Sequence, residues 1–107
     1  MEAACRGAKA AGGTTVGILA GVDRSDANGY VDLAIPTGLG QARNAIVVRA
    51  GDALVAIGGG YGTLSEIALA LRREKRVVGL GTWDVDGVEA VESPEAAVEA
   101  VLADLST

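Results

Sequence analysis

The stretch Gly58-Gly59-Gly60-Tyr61-Gly62-Thr63-Leu64-Ser65-Glu66 decides the reading of this chain. It follows the apolar run Ala53-Leu54-Val55-Ala56-Ile57, which reads as a strand. It precedes Ile67-Ala68-Leu69-Ala70-Leu71, which carries a helical pattern. A glycine-rich turn between a strand and a helix is where α/β proteins hold phosphates. Backbone N–H groups converge there with no side chain in the way, and the helix N-terminus adds partial positive charge. Glu66 places a carboxylate beside the same spot. An acid does not help to bind an anion, so it needs a separate explanation.

On either side of this turn the pattern alternates. Met1 to Ala11 reads as an Ala-rich helix stopped by Gly12-Gly13. Thr14 to Leu19 reads as a strand, Gly21 to Gly29 as a polar loop, and Tyr30 to Ile35 as a second strand ended by Pro36-Thr37-Gly38. Leu39 to Arg49 reads as a helix, Asp52 to Ile57 as the most apolar strand, Thr63 to Glu74 as the clearest helix, and Arg76 to Leu80 as a strand. Gly81 to Ser93 is a loop or short extension containing Trp83. Pro94 to Leu105 is a terminal helix, with Ser93 as its N-cap and Pro94 in its first position. Strands alternating with helices predict a doubly wound parallel sheet with helices on both faces. One domain over residues 1–107 is expected, without linker or repeat. The chain opens inside a helix, and Met1 is its only methionine. Both features raise the expectation that a first strand–helix–strand portion is lacking and that the domain is incomplete.

Composition excludes several functions. The net charge is −5 and no basic stripe is visible, which argues against a nucleic-acid partner. Arg72, Arg73, Lys75 and Arg76 form one short cluster, read as a solvated helix C-terminus. With no His and Cys5 as the only cysteine, neither a disulfide framework nor an ordinary metal site is expected. No signal peptide or membrane span is visible, so the expected setting is the cytoplasm, with no membrane partner.

The segment Gly58 to Glu66 resembles the Pro-Gly-Gly-x-Gly-Thr-x-x-Glu signature of the Lonely Guy (LOG) family. The resemblance implies a Rossmann-like fold, and it looks closest to a branch similar to molybdenum-cofactor carrier proteins. LOG proteins include phosphoribohydrolases, which release a base from a nucleoside 5′-monophosphate. The family pairs its motif glutamate with an arginine of an upstream Arg-Lys dipeptide, and Arg43-Asn44 lies at the matching place. Met1-Glu2-Ala3 is similar to the tail of the family's other glycine-rich loop. Gly58 stands in place of the motif proline and Asn44 in place of the lysine. Gly40 and Ala42 replace the methionine and glutamate often found before the arginine. These departures make a nucleotide-like ligand a safer expectation than any named substrate. The resemblance also implies a homodimer in the full-length form. A fragment lacking part of its sheet would expose strand edges and be marginal or aggregate.

Gly58, Gly59, Gly60, Gly62 and Thr63 are thus the candidate phosphate-binding residues, with Asn44 as a polar neighbour. A tight turn needing glycine for its dihedrals alone is the plain alternative. Glu66 has two readings. Thr63-Leu64-Ser65-Glu66 fits a capping box, in which Thr63 caps the helix and Glu66 reaches back to it. Alternatively, Glu66 faces a ribose and stabilises positive charge as an N-glycosidic bond breaks. Arg43 is either a solvated arginine or a guanidinium aimed at phosphate or ribose, partnered with Glu66. Tyr61 is expected to pack over the turn. Trp83 and Asp84 follow a strand end, where such sheets bind ligands, yet Trp83 reads more simply as a capping aromatic.

Two functions compete. One is a phosphoribohydrolase with Arg43 and Glu66 as catalytic residues and no cofactor. The other is a non-catalytic carrier or sensor of a phosphorylated ligand, such as a pterin like molybdenum cofactor, held in the same loop.

Overall fold

The computed structural model describes residues 1–105. The chain divides into two compact units, the first Met1–Arg43 and the second starting at Asn44.

The first unit contains α1 (Glu2–Ala10), β1 (Val16–Leu19) and β2 (Leu33–Pro36), with 3-10 turns at Arg24–Asp26 and Gly40–Arg43. β1 and β2 pair in parallel, Val16 opposite Leu33 and Leu19 opposite Pro36. Gly12, at φ +83°, stops α1 as its sequence predicts, and the Gly13 N–H closes the end on the Ala8 carbonyl at 2.8 Å. A polar knot joins the two strands where they begin. The Thr15 hydroxyl donates to the Tyr30 carbonyl at 2.6 Å and accepts from the Asp32 N–H at 2.8 Å. The Asp32 carboxylate accepts from the Thr15 N–H at 2.9 Å and pairs with Lys9 at 2.9 Å. Backbone from Tyr30 to Asp32 is committed to this knot, so the strand expected from Tyr30 begins only at Leu33. The same contacts, the Thr15 N–H first and Lys9 second, hold the Asp32 carboxyl below the usual carboxylate range.

The helix expected over Leu39–Arg49 is split. Gly38 and Gly40 take φ of +67° and +58°, left-handed values that an α-helix cannot contain. A 3-10 turn therefore ends the first unit, and the α-helix starts at Asn44.

The second unit runs α2 (Asn44–Ala50), β3 (Leu54–Ile57), α3 (Tyr61–Arg72), β4 (Val77–Leu80), β5 (Val88–Val91) and α4 (Pro94–Leu105). Its strands form a parallel sheet in the order β3-β4-β5. Strand alternation sets the packing. Ala56 and Val77 turn one way and join Val48 of α2 with Ile67 and Ala70 of α3 in one buried cluster. Val78 turns the other way and is fully buried on the side where α4 packs with its buried Ala97. Helices thus cover both faces of this sheet, as an α/β, Rossmann-like fold requires. Burying a side chain such as Ile67 contributes about 1.5–3 kcal/mol. The Ser93 hydroxyl accepts from the Ala96 N–H at 3.1 Å, so the predicted cap before Pro94 forms.

Two expectations about this unit need correction. The segment Gly81 to Ser93 contains a true strand, β5. Val88 and Val91 are half buried, Glu89 and Ala90 are exposed, and Glu89 pairs with Arg76 beside β4. A four-residue strand of that kind has too little periodicity to stand out. The basic cluster is also not uniformly solvated. Arg72 and Arg73 are exposed, but Lys75 is half buried. Its ammonium donates to the carbonyls of Val48, Gly51 and Arg49 at 2.6, 2.6 and 3.2 Å, which closes the C-terminal end of α2.

Candidate functional site

The glycine turn leaves β3 at its C-terminal end. The Gly58 N–H still donates to Leu80 of β4 at 3.1 Å, which extends the ladder by one residue. Gly58 then turns at φ +65°, a conformation that a residue with a Cβ rarely adopts. Gly60 is extended and serves as the N-cap of α3, and the first intrahelical bond runs from the Leu64 N–H to the Gly60 carbonyl at 3.2 Å. Gly60 has no side chain with which to cap this end. The N–H groups of Tyr61, Gly62 and Thr63 therefore have no backbone acceptor within the helix, and they lie at the positive end of the helix dipole.

This start corrects one reading of Glu66. Thr63 is the third residue of α3 and not its cap, so it does not play the capping part that this reading gave it. The reason is backbone geometry: glycine at position 60 takes the extended cap conformation, and Tyr61-Gly62 joins the helix ahead of Thr63. Glu66 lies three residues further on, on the side of the helix that Thr63 occupies, and is half buried.

Asn44 is 1% exposed at the start of α2, and its Nδ2 lies 3.5 Å from the Gly62 carbonyl. Its amide therefore sits beneath the loop, against its backbone. The second unit brings together Gly58, Gly59, Gly60, Gly62, Thr63, Asn44 and Glu66. Arg43 belongs to the first unit, where a terminal guanidinium nitrogen donates to the Ile18 carbonyl of β1 at 2.8 Å. Its Nε is buried without a hydrogen-bond partner. In the same unit, Asp23 is held below the usual carboxylate range by the Ser25 N–H at 2.9 Å.

β3 and β4 are parallel neighbours, so the loop after β4 stands beside the glycine turn. There Trp83 donates from Nε1 to the Gly60 carbonyl at 3.1 Å. A Cβ at position 59 would lie 2.9 Å from that same nitrogen, so only glycine permits the approach. Tyr61 stacks on Trp83, with ring centroids 5.9 Å apart and planes at 30°. Gly58, Gly59, Gly81, Thr82 and Trp83 line a groove of about 290 Å³. By sequence Trp83 falls in the ligand zone yet reads as a capping aromatic, and nothing local marks Gly81 or Thr82. The available signal was topological: residues that follow one parallel strand meet residues that follow its neighbour.

Among the described residues, no three His, Cys, Asp or Glu side chains are grouped to hold a metal ion. No helix among them is long and apolar enough to cross a membrane.

Comparison with known proteins adds the following. A family model described as the SLOG cluster4 family matches residues 1–104. An uncharacterized protein of Archaeoglobus fulgidus is 48% identical over 99 residues, which cover 92% of this chain and 65% of that protein. The chain thus spans about 65% of the length of this relative. The molybdenum cofactor binding protein from the phototrophic bacterium Rippkaea orientalis superposes with a TM-score of 0.83 at 40% identity, over 95% of this chain and 69% of that one. The molybdenum cofactor carrier protein of Chlamydomonas reinhardtii superposes with a TM-score of 0.82 at 39% identity, over 100% of this chain and 71% of that one.

Proposed function

The chain belongs to the SLOG cluster4 family, and on that premise we propose that it binds and carries a small phosphorylated molecule such as molybdenum cofactor. The observation that carries this reading is the N-terminus of α3, which starts on Gly60 and is framed by Gly58, Gly59, Gly62 and Thr63. Three backbone N–H groups, the Thr63 hydroxyl and the helix dipole there suit a phosphate. The names of the Rippkaea and Chlamydomonas neighbours support the choice of ligand. Asn44 supports the loop from beneath, and no bond-breaking step is needed.

Expression in a host that makes molybdenum cofactor, followed by elemental analysis, tests the proposal. Molybdenum is expected to copurify, and Thr63→Val to lower its content. A molybdenum-free protein that binds no phosphate ester in calorimetry would sink it.

One observation keeps the hydrolase reading as a second proposal. Glu66 stands one helical turn from Thr63 on the same side of α3. In this reading Glu66 and Arg43 assist cleavage of an N-glycosidic bond whose phosphate rests on the loop. Release of free base from nucleoside monophosphates, abolished by Glu66→Gln, would support it. Absence of any release across a panel of such nucleotides removes it. A homodimer in the cytoplasm also belongs to this proposal, and sedimentation equilibrium checks the dimer.

A further inference from the structure

Resting on the phosphate seat of the carrier reading, we propose that Trp83 is a positioning residue for that seat, acting on the anion through the Gly60–Tyr61 peptide. The carbonyl of Gly60 and the N–H of Tyr61 are the two ends of one planar peptide group. The carbonyl points into α3, where it accepts from the Leu64 N–H at 3.2 Å. The N–H points the other way, out of the helix N-terminus, where an anion sits in the carrier reading. The helix by itself gives the Gly60 carbonyl one donor. Trp83 supplies a second, because its indole N–H donates to the same oxygen at 3.1 Å.

Hydrogen bonds made at the two ends of one peptide strengthen each other. Donation to the carbonyl draws electron density onto the oxygen and leaves the Tyr61 N–H more positive. It also fixes the plane of the peptide, and with it the direction of the N–H. The effect is reciprocal: an anion on the Tyr61 N–H makes the Gly60 oxygen a better acceptor and tightens the indole bond. A positioning residue must itself be held, and Trp83 is. Gly81 turns the chain off β4 at φ +58°. A Cβ at position 79 would lie 2.6 Å from the Thr82 methyl, so glycine there lets Thr82 lie against β4 and anchor the residue before the indole. Glycine at position 59 clears the path of the indole nitrogen to its acceptor. Tyr61, which carries the peptide N–H, also stacks its ring on the indole. An aromatic that merely covered the turn would need its ring carbons there and no aimed N–H.

The chain has one tryptophan, so a single indole resonance reads the contact. The test titrates the full, nitrogen-15-labelled chain with inorganic phosphate, following the indole N–H by NMR and binding by calorimetry. The indole proton is expected to move to higher frequency and to exchange more slowly with water, in step with the calorimetric isotherm. Trp83→Phe keeps a ring against Tyr61 and removes the N–H. It is expected to weaken phosphate about threefold to tenfold, the usual order for one hydrogen bond. A role in packing alone would leave the affinity of this variant unaltered. An indole resonance that stays in place while phosphate binds, or a Trp83→Phe chain that binds as tightly as the unaltered one, would overturn the positioning role and leave the phosphate seat standing. Failure of the unaltered chain to bind phosphate would overturn the positioning role together with the seat. The indole resonance needs no variant, so it decides the matter even if Trp83→Phe does not fold.

Discussion

Every buried apolar side chain among the described residues lies after Asn44: Val48, Ala56, Ile67, Ala70, Val77, Val78 and Ala97. Before Asn44, the one buried residue is polar, Thr15. Val16, Leu33 and Ile35 on β1 and β2 are 53%, 54% and 42% exposed. The two units therefore owe their order to different forces. The second rests on apolar burial on both faces of a sheet. The first rests on hydrogen bonds that converge on Thr15 and Asp32 and on the anchoring of Arg43 to β1. Burial is cooperative and resists local opening, whereas exposed polar contacts compete with water. The glycine turn after β3 is built on the more robust unit.

The sharpest way to break this contrast is to truncate one apolar residue in each unit. Ile67→Ala is expected to cost about 2–5 kcal/mol in urea denaturation, through lost burial and the cavity left behind. Ile35→Ala should cost under about 1 kcal/mol, because its side chain already meets water. Equal costs would show that the contrast is false. Lys75→Met comes next. It strips three carbonyls of a charged donor and is expected to cost about 1.5–3 kcal/mol. Thr15→Val removes a hydroxyl that both donates and accepts, at about 1–2 kcal/mol. Its mark in hydrogen exchange should be faster amides in β1 and β2, with β4 unaltered. Glu74→Gly should act the other way. Glu74 holds φ +59° just after α3, and glycine there is expected to add up to about 1 kcal/mol.

The smallest expected effect is on pH. The Asp32 carboxyl has a lowered pKa in the folded chain, so its contribution is complete above the ordinary carboxylate value and is lost as pH falls through the lowered one. Exchange in β1 and β2 should therefore quicken below about pH 4 before that in β3 and β4 does. Asp32→Asn should remove this acid-specific step. A step that persists in the variant would assign it to another group.

What the sequence disclosed was local. Ser93-Pro94 marks the start of α4 because cap and first position lie within three residues of each other. Gly12-Gly13 stops α1 for the same reason. The strand–glycine–helix order around Gly58 gave the parallel α/β class. What stayed hidden depends on residues far apart in the chain. Thr63-Leu64-Ser65-Glu66 imitates a capping box, but Gly60, whose carbonyl receives the Trp83 N–H, is the true cap. Lys75 looked like one more solvated cation, and nothing nearby in sequence shows that it reaches carbonyls of α2. β5 is a strand because β4 gives it a ladder, not because Val88-Glu89-Ala90-Val91 demands one. Exposure of the β1–β2 residues was equally invisible, since an apolar strand has one pattern whether or not anything covers it.

The ammonium cage around Lys75 has a consequence for chemical labelling. The chain has two lysines, Lys9 and Lys75. Lys9 stands at the surface beside Asp32, whereas Lys75 is committed to three carbonyls. An amine-reactive reagent that needs an accessible amine will meet Lys9 first. Modification of Lys75 becomes a clock for opening of the α2–α3 junction, readable by mass spectrometry without any engineered probe.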